Sequence, residues 1–324
     1  METIDRRDFI IAGAATAALA AASPTPTRAA SNGAVFLTTW DYGIPGNARA
    51  AQVLDAGGTL LDAVEKGINV VEDDPNVDTV GYGGFPNSQG EVELDAGIMD
   101  GTKHRAGAVC NLHKIKNPIS VARLVMEKTL HTTIAGDGAL QFAIEMGFQP
   151  MQLLTPKSLE AWLKWKNTPG HETFWADRNH HDTVGMLGID GRGNVVAGCS
   201  TSGLAWKIPG RVADSPLVGC GYFADATAGA ASATGNGDVM AAYCTSMFLV
   251  QALARGAHPQ EACEEVMRYM SKTAPNLRDD MYCVIALDMS GRIGALSMNS
   301  KQPLQYSLWQ NGSGALHSAP AFLG

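Results

Sequence analysis

The tetrapeptide Asp-Thr-Val-Gly occurs twice in the chain, at residues 78–81 and 182–185. Cleavage of the peptide bond before a threonine would leave an α-amine beside the threonine hydroxyl. A free α-amine titrates at roughly 7.7–8.0 and can therefore serve as the general base for that hydroxyl. The first copy runs into a glycine-rich loop, whereas the second lies where a polar segment meets a strand pattern. The second copy therefore has a chemical use, and none is evident for the first.

Strand and helix patterns alternate on either side of the second copy. Before it, strands are predicted over 34–40, over 106–112 and at the start of 132–148, and helices over 60–75, over 117–128 and at the end of 132–148. Residues 155–181 are polar and turn-rich, which predicts a linker or exposed loop. After it, hairpins over 183–203 and 281–299 enclose helices over 239–257 and 259–272. This order indicates an α+β fold with helices covering stacked antiparallel sheets.

Composition narrows the classes of partner. The 324 residues are 45% apolar, enough to bury one large core or two modest ones. The formal net charge is −8, and no basic run appears along the chain, so nucleic acid is not expected as a partner.

The cysteines and histidines do not follow the spacing of a metal site. The six cysteines are widely separated, without a C-x-x-C pair, and buried free thiols are the default reading. One or two disulfides remain possible after export. His180 and His181 are adjacent and lack a third ligand, so we predict no metal.

The first thirty residues have the layout of an export signal. Arg6 and Arg7 precede Phe9 and an alanine-rich apolar run, which resembles a twin-arginine signal. A short membrane anchor or a frayed helix is the alternative. The run is too short to span a membrane well. We therefore predict cleavage near residue 30, a periplasmic or secreted location, and no membrane association of the mature protein.

Several motifs in order resemble the glycosylasparaginase family of N-terminal nucleophile hydrolases. They include TTWDYG, VGYGG, ELDAGIMDG, IKNPISVARLVMEKT, GDGALQFA and the long segment that begins NHHDTVGMLGIDG and continues to ATGNGD. The likeness covers nearly all of the chain after the signal. It implies a four-layer αββα sandwich, self-cleavage between Asp182 and Thr183, an α subunit of residues 31–182 and a β subunit of residues 183–324.

The resemblance also implies roles for individual residues. Thr183 matches the nucleophile, freed when its hydroxyl attacks the preceding carbonyl, and His181 and Asp182 would assist that step. Thr201 matches the threonine that hydrogen-bonds the nucleophile. The remaining matches concern the substrate: Arg211 and Asp214 form a clamp for its α-carboxylate and α-ammonium, Thr234 and Gly235 form an oxyanion hole, and Gly237, Trp40 and Thr79 are further contacts.

From the residue types alone, these positions have ordinary structural readings as well. Thr183 and Thr201 could be strand threonines, and Arg211 with Asp214 could be a surface ion pair at i,i+3 spacing. The 234–237 stretch could be a turn at a strand end, and Trp40 a core residue.

The chain departs from the family pattern near the site. Thr79 stands where the family usually has serine, Ala213 where it has glycine and Leu204 where it has methionine. Asn236 and Asp238 stand where it has histidine and glutamate.

The resemblance implies a cofactor-free amidohydrolase acting on a small glycosylated asparagine. Its products would be aspartate and a 1-amino sugar, and the protein would be a dimer of αβ units. A plant-type L-asparaginase or isoaspartyl peptidase is the alternative within the fold. An exported, non-catalytic amino-acid-binding protein is the alternative outside it.

Overall fold

The computed structural model describes residues 33–170, 182–274 and 278–323. The predicted export signal and His181 lie outside the described residues. The helices are α1 (Gly43–Asp55), α2 (Leu60–Asp73), α3 (Pro118–Lys128), α4 (Gly136–Glu145), α5 (Pro156–Lys166), α6 (Gly237–Ala242), α7 (Thr245–Ala254) and α8 (Pro259–Met270). The strands are β1 (Val35–Thr39), β2 (Glu93–Asp100), β3 (Arg105–His113), β4 (Thr133–Ala135), β5 (Val184–Ile189), β6 (Val195–Thr201), β7 (Tyr222–Asp225), β8 (Gly229–Gly235), β9 (Tyr282–Asp288), β10 (Ile293–Asn299), β11 (Gln305–Gln310), β12 (Ser313–Ser318) and β13 (Ala321–Leu323).

The strands form two stacked sheets. The larger sheet has the order β12-β11-β1-β5-β6-β2-β3-β4, and the smaller has the order β13-β10-β9-β8-β7. Only the β3–β4 and β10–β13 pairings are parallel among the described strands. Helices α1 to α4 cover the outer face of the larger sheet, and α7 and α8 cover the smaller. The predicted αββα sandwich is confirmed.

Helix α2 shows how sequence sets one of the outer layers. Thr59 accepts a hydrogen bond from the backbone N–H of Asp62, and the Asp62 carboxylate accepts one from the Thr59 N–H, which forms a capping box. Val64, Ile68 and Val71 recur at helical spacing and are buried against the larger sheet. The predicted helix over 60–75 is confirmed, with its end at Asp73.

The prediction that residues 155–181 lack regular structure is wrong for the first half of that segment. Thr155 caps α5 by accepting a hydrogen bond from the Ser158 N–H, and Pro156 occupies the first turn. The helix is mostly exposed, so its composition resembles that of a loop. It contacts the body of the protein through Trp165, whose ring stacks on Trp206 at 5.4 Å between centroids.

A second correction concerns the single helix predicted over 239–257. It is interrupted, and Cys244 between α6 and α7 has a left-handed backbone conformation with φ of 48°. A left-handed residue cannot continue a right-handed helix, so the chain changes direction there.

Within the described ranges, none of the helices combines the length and the apolar character that a membrane span requires.

Candidate active site

The candidate site lies where neighbouring strands β5, β6 and β2 of the larger sheet meet. Thr183 directly precedes β5, and the register pairs Val184 with Ser200, which places Thr183 beside Thr201 at the end of β6. On its other side Thr201 pairs with Asp95 of β2. Antiparallel pairing therefore brings together residues that are far apart in the sequence.

Thr39 holds the backbone of Thr183. Its hydroxyl donates to the Thr183 carbonyl oxygen at 2.6 Å and accepts from the Gly185 N–H at 2.9 Å. The Thr183 hydroxyl oxygen lies 3.4 Å from the Ser215 hydroxyl oxygen, longer than an ordinary O–H···O bond. Thr183 is buried, and Thr39 and Ser215 lie on either side of it in the contacts above.

The Thr201 hydroxyl contacts the peptide bond predicted to break. Its oxygen accepts a hydrogen bond from the Gly203 N–H at 2.9 Å. Its single proton can go to the Asp182 carbonyl oxygen at 3.1 Å or to the Thr79 carbonyl oxygen at 3.3 Å, and the first is the shorter contact. This donor polarises the carbonyl that precedes Thr183.

Arg211 and Asp214 do not form the surface ion pair that their spacing also allowed. Asp214 is 4% exposed, and its Oδ2 has no hydrogen-bond partner among the described residues. Burial raises the pKa of Asp214 to about 7, an effect that the nearby Arg211 charge partly offsets. Arg211 instead donates to Asp238, at 2.8 Å from Nη2 to Oδ2 and 3.4 Å from Nε to Oδ1.

Residues 234–237 come from the end of β8 and the start of α6. The Thr234 hydroxyl is buried without a hydrogen-bond partner among the described residues. Gly235 has φ of 117°, and a Cβ there would lie 2.3 Å from the Met281 carbonyl oxygen. A Cβ on Gly237 would lie 2.3 Å from Asp214 Oδ1. Gly235 is therefore required for both its backbone conformation and the space it leaves, and Gly237 for space alone.

Two pockets meet the chain on either side of the bond between Asp182 and Thr183. The first is lined by the predicted residues Thr183, Thr201, Arg211, Asp214, Gly235 and Gly237 and has about 270 Å³ of empty space, open solvent included. Trp40 and Thr79 do not line this pocket. They line the second with Asp182, where the empty space is about 800 Å³, again with open solvent included. Most of the predicted residues are thus divided between two pockets, whereas the buried Thr234 lines neither of them.

Several residues of the first pocket were missed by the sequence reasoning. Ser215 and Asp95 line it, and the motifs that carry the family resemblance gave no separate signal for either. Lys207 lies beneath, 1% exposed, with Nζ 3.6 Å from Asp95 Oδ2 and 3.7 Å from Glu93 Oε2. A buried ammonium requires such carboxylates, so this cluster fixes the loop that leads to Arg211.

Among the residues that the structure describes, no group of three or more histidine, cysteine, aspartate or glutamate side chains is placed to hold a metal ion.

Comparison with known proteins identifies the family. Residues 47–315 match the family model described as asparaginase. The N(4)-(beta-N-acetylglucosaminyl)-L-asparaginase of Elizabethkingia miricola is 43% identical over 304 residues, which cover 90% of this chain and 88% of that protein. The mouse protein of the same name is 37% identical over 318 residues, covering 88% and 90%, and the rat protein is 38% identical over 292 residues, covering 81% and 83%. The chain therefore belongs to the asparaginase family, and the resemblance to its glycosylasparaginases is confirmed.

Proposed function

We propose that this protein is a hydrolase that cleaves the side-chain amide of N4-(β-N-acetylglucosaminyl)-L-asparagine, with Thr183 as an N-terminal nucleophile. The relatives that carry this activity in their names match most of the chain. The observation that carries the site assignment is the convergence of Thr183, Thr201, Arg211 and Asp214 on one pocket.

The first step is release of Thr183. Its hydroxyl attacks the Asp182 carbonyl carbon, the C–N bond breaks, and an ester joins Asp182 to the Thr183 oxygen. The hydroxyl proton passes to the nitrogen, which becomes the free α-amine of Thr183. Water then hydrolyses the ester, which leaves a carboxylate on Asp182 and restores the Thr183 hydroxyl. The Thr201 hydroxyl, at 3.1 Å from the Asp182 carbonyl oxygen, stabilises the negative charge that develops there.

The second step uses the new amine. It accepts the proton of the Thr183 hydroxyl, whose oxygen attacks the substrate amide carbon. The buried Thr234 hydroxyl and the Gly235 N–H stabilise the oxyanion. The C–N bond breaks, the aminosugar leaves with the proton, and a β-aspartyl ester remains on Thr183. Water hydrolyses this ester and releases aspartate, and the aminosugar loses ammonia in water.

The substrate is held by charges of opposite sign. A free asparagine unit has an α-carboxylate, which matches the planar guanidinium of Arg211, and an α-ammonium, which matches Asp214. Asp214 Oδ2 is buried without a described partner, and a buried polar atom of this kind requires one. The amide would then face Thr183, which lines the same pocket.

Self-cleavage after Asp182 would also open space for the sugar of the substrate. Asp182 lines the second pocket and Thr183 the first, so departure of the new Asp182 terminus would join the two spaces. Trp40 and Thr79 would then border the leaving group rather than the asparagine unit.

Turnover of three substrates tests the proposal. Glycosylated asparagine, free asparagine and a β-aspartyl dipeptide are compared with the wild-type protein and with Thr183→Ala. We expect the highest kcat/KM for glycosylated asparagine and no turnover by the variant. A preference for asparagine or the dipeptide would assign the sister activity of the family. Binding without turnover of any of the three would identify a binding protein.

Export and assembly are further proposals. We propose that residues 1–30 direct export by the twin-arginine route and that the mature protein is a dimer of αβ units. Arg6 and Arg7 support the first, and replacing both with lysine should keep the protein in the cytoplasm with residues 1–30 still attached. Light scattering on the purified protein measures the second.

A further inference from the structure

Cys220 and Cys244 lie next to each other in space. Both have thiol groups with no disulfide, Cys220 being 8% exposed and Cys244 exposed. The Cys220 thiol and the Cys244 backbone N–H reach the same acceptor, the Ala241 carbonyl oxygen, and burial together with the neighbouring Cys244 raises the pKa of Cys220. Neither residue has a part in the proposed hydrolysis.

The backbone around the two cysteines is fixed by hydrogen bonds. The Cys220 thiol donates to the Ala241 carbonyl oxygen at 3.5 Å, and the Cys244 N–H donates to the same oxygen at 3.1 Å. The Cys220 carbonyl oxygen accepts from both the N–H and the hydroxyl of Ser246, at 3.2 and 2.7 Å. The Met247 N–H donates to the Gly219 carbonyl oxygen at 2.8 Å. These bonds hold the backbones of Cys220 and Cys244 close together in the folded protein.

We propose that Cys220 and Cys244 are a reversible disulfide site, closed by a small disulfide oxidant such as oxidised glutathione. The Cys244 thiolate attacks one sulfur of the oxidant, whose S–S bond breaks and expels one glutathione thiolate. Cys220 then attacks the Cys244 sulfur and expels the second. The protein loses two electrons and two protons, and the oxidant gains them as two glutathione molecules. Cys244 reacts first because it is exposed and the oxidant can reach it, whereas Cys220 is buried.

The disulfide would connect the two segments that carry the clamp. Gly221, which follows Cys220, donates its N–H to the Asp214 carbonyl oxygen. Helix α6, which ends just before Cys244, carries the Asp238 that pairs with Arg211. A covalent link between 220 and 244 closes a loop over β7, β8 and α6, which restricts the unfolded chain. This inference is independent of the proposed function, because it concerns thiols and not the substrate.

Peptide mapping after oxidation tests the proposal. The full protein is incubated with oxidised glutathione at pH 8.5, remaining thiols are alkylated, and the digest is analysed by mass spectrometry with and without dithiothreitol. We expect a cross-linked peptide containing Cys220 and Cys244 that dithiothreitol removes. Cys220→Ser should instead retain glutathione on Cys244, since the resolving thiol is absent. Cys110→Ser, which also removes a buried thiol, should leave the cross-link unchanged.

Glutathione remaining on Cys244 of the folded wild-type protein, without the cross-link, would overturn the proposal, as would a link from Cys244 to any other cysteine. The cross-linked form should also melt about 3 °C higher than the reduced form, and Cys244→Ser should show no such difference. An unchanged Tm in the cross-linked protein would contradict the inference that the link restrains these segments.

Discussion

The Thr201 hydroxyl lies 3.1 Å from the carbonyl oxygen of Asp182, although the two residues are at opposite ends of the β5–β6 hairpin in sequence. The same hydroxyl oxygen accepts a hydrogen bond from the Gly203 N–H, which leaves its proton directed toward a carbonyl acceptor. One side chain thus touches the peptide bond predicted to break and also lines the pocket of Thr183. It is placed to act in both processing and turnover.

Replacing Thr201 with valine should slow self-cleavage by about 100-fold, because an oxyanion donor of this kind contributes several kcal/mol. The shape of the side chain is preserved, so the β6 pairing should survive. The measurement is the fraction of cut chain over time after synthesis, read by gel electrophoresis and intact mass. Thr133→Val on the exposed edge strand β4 is the control and should process normally. Self-cleavage of Thr201→Val at the wild-type rate would show that the Thr201 hydroxyl does not assist this reaction.

Binding should depend on the ionisation of Asp214. Burial raises the pKa of this carboxyl to about 7, so it is mostly neutral at pH 6 and mostly charged at pH 8. Only the charged form attracts the α-ammonium of the substrate. KM for glycosylated asparagine should therefore fall about tenfold from pH 6 to pH 8. Asp214→Asn should raise KM and abolish this fall, and a variant that keeps it would show that another group is responsible.

Gly237 should tolerate no side chain. A Cβ there would lie 2.3 Å from Asp214 Oδ1 and 2.9 Å from the Ala213 Cβ, and both neighbours are buried, so Asp214 would have to shift. We expect Gly237→Ala to raise KM at least about tenfold, the equivalent of a loss of ~1.4 kcal/mol. Gly138→Ala in α4 is the matched control, because no atom lies within 4 Å of its Cβ. Unchanged KM in Gly237→Ala would contradict the clamp geometry.

Asp238 should compete with the substrate for Arg211. Its carboxylate is the present partner of that guanidinium and is 56% exposed. An exposed pair of this kind is worth up to about 1 kcal/mol, so Asp238→Asn should lower KM by about two- to fivefold. Asp279→Asn, which breaks the exposed pair with Lys301, should leave KM unchanged. A higher KM in Asp238→Asn would show that the pair supports binding.

The strongly patterned elements could be predicted from sequence. Helix α2 has an apolar stripe and a capping box, and the hairpin of β5 and β6 has a turn between two apolar runs. The family motifs also predicted most of the residues that line the first pocket. These signals are local, so each could be recognised without knowledge of the fold.

The missed features depend on contacts between distant residues. Helix α5 is mostly exposed and is held by Trp165 stacking on Trp206, so its own sequence resembles a loop. The break at Cys244 lies inside an apolar run that would suit one helix. Ser215 reaches Thr183 only through the folded arrangement of β5 and the clamp loop. Thr39 and Thr183 meet across the pairing of β1 with β5, which no local pattern predicts.

The intact mass of the purified mature protein, combined with N-terminal sequencing, tests the role of Thr183 most directly. We predict two chains, one of which begins at Thr183, and a Thr183→Ala variant that stays as one chain without activity. A single uncut chain that hydrolyses glycosylated asparagine, or an active Thr183→Ala variant, would contradict the proposed mechanism.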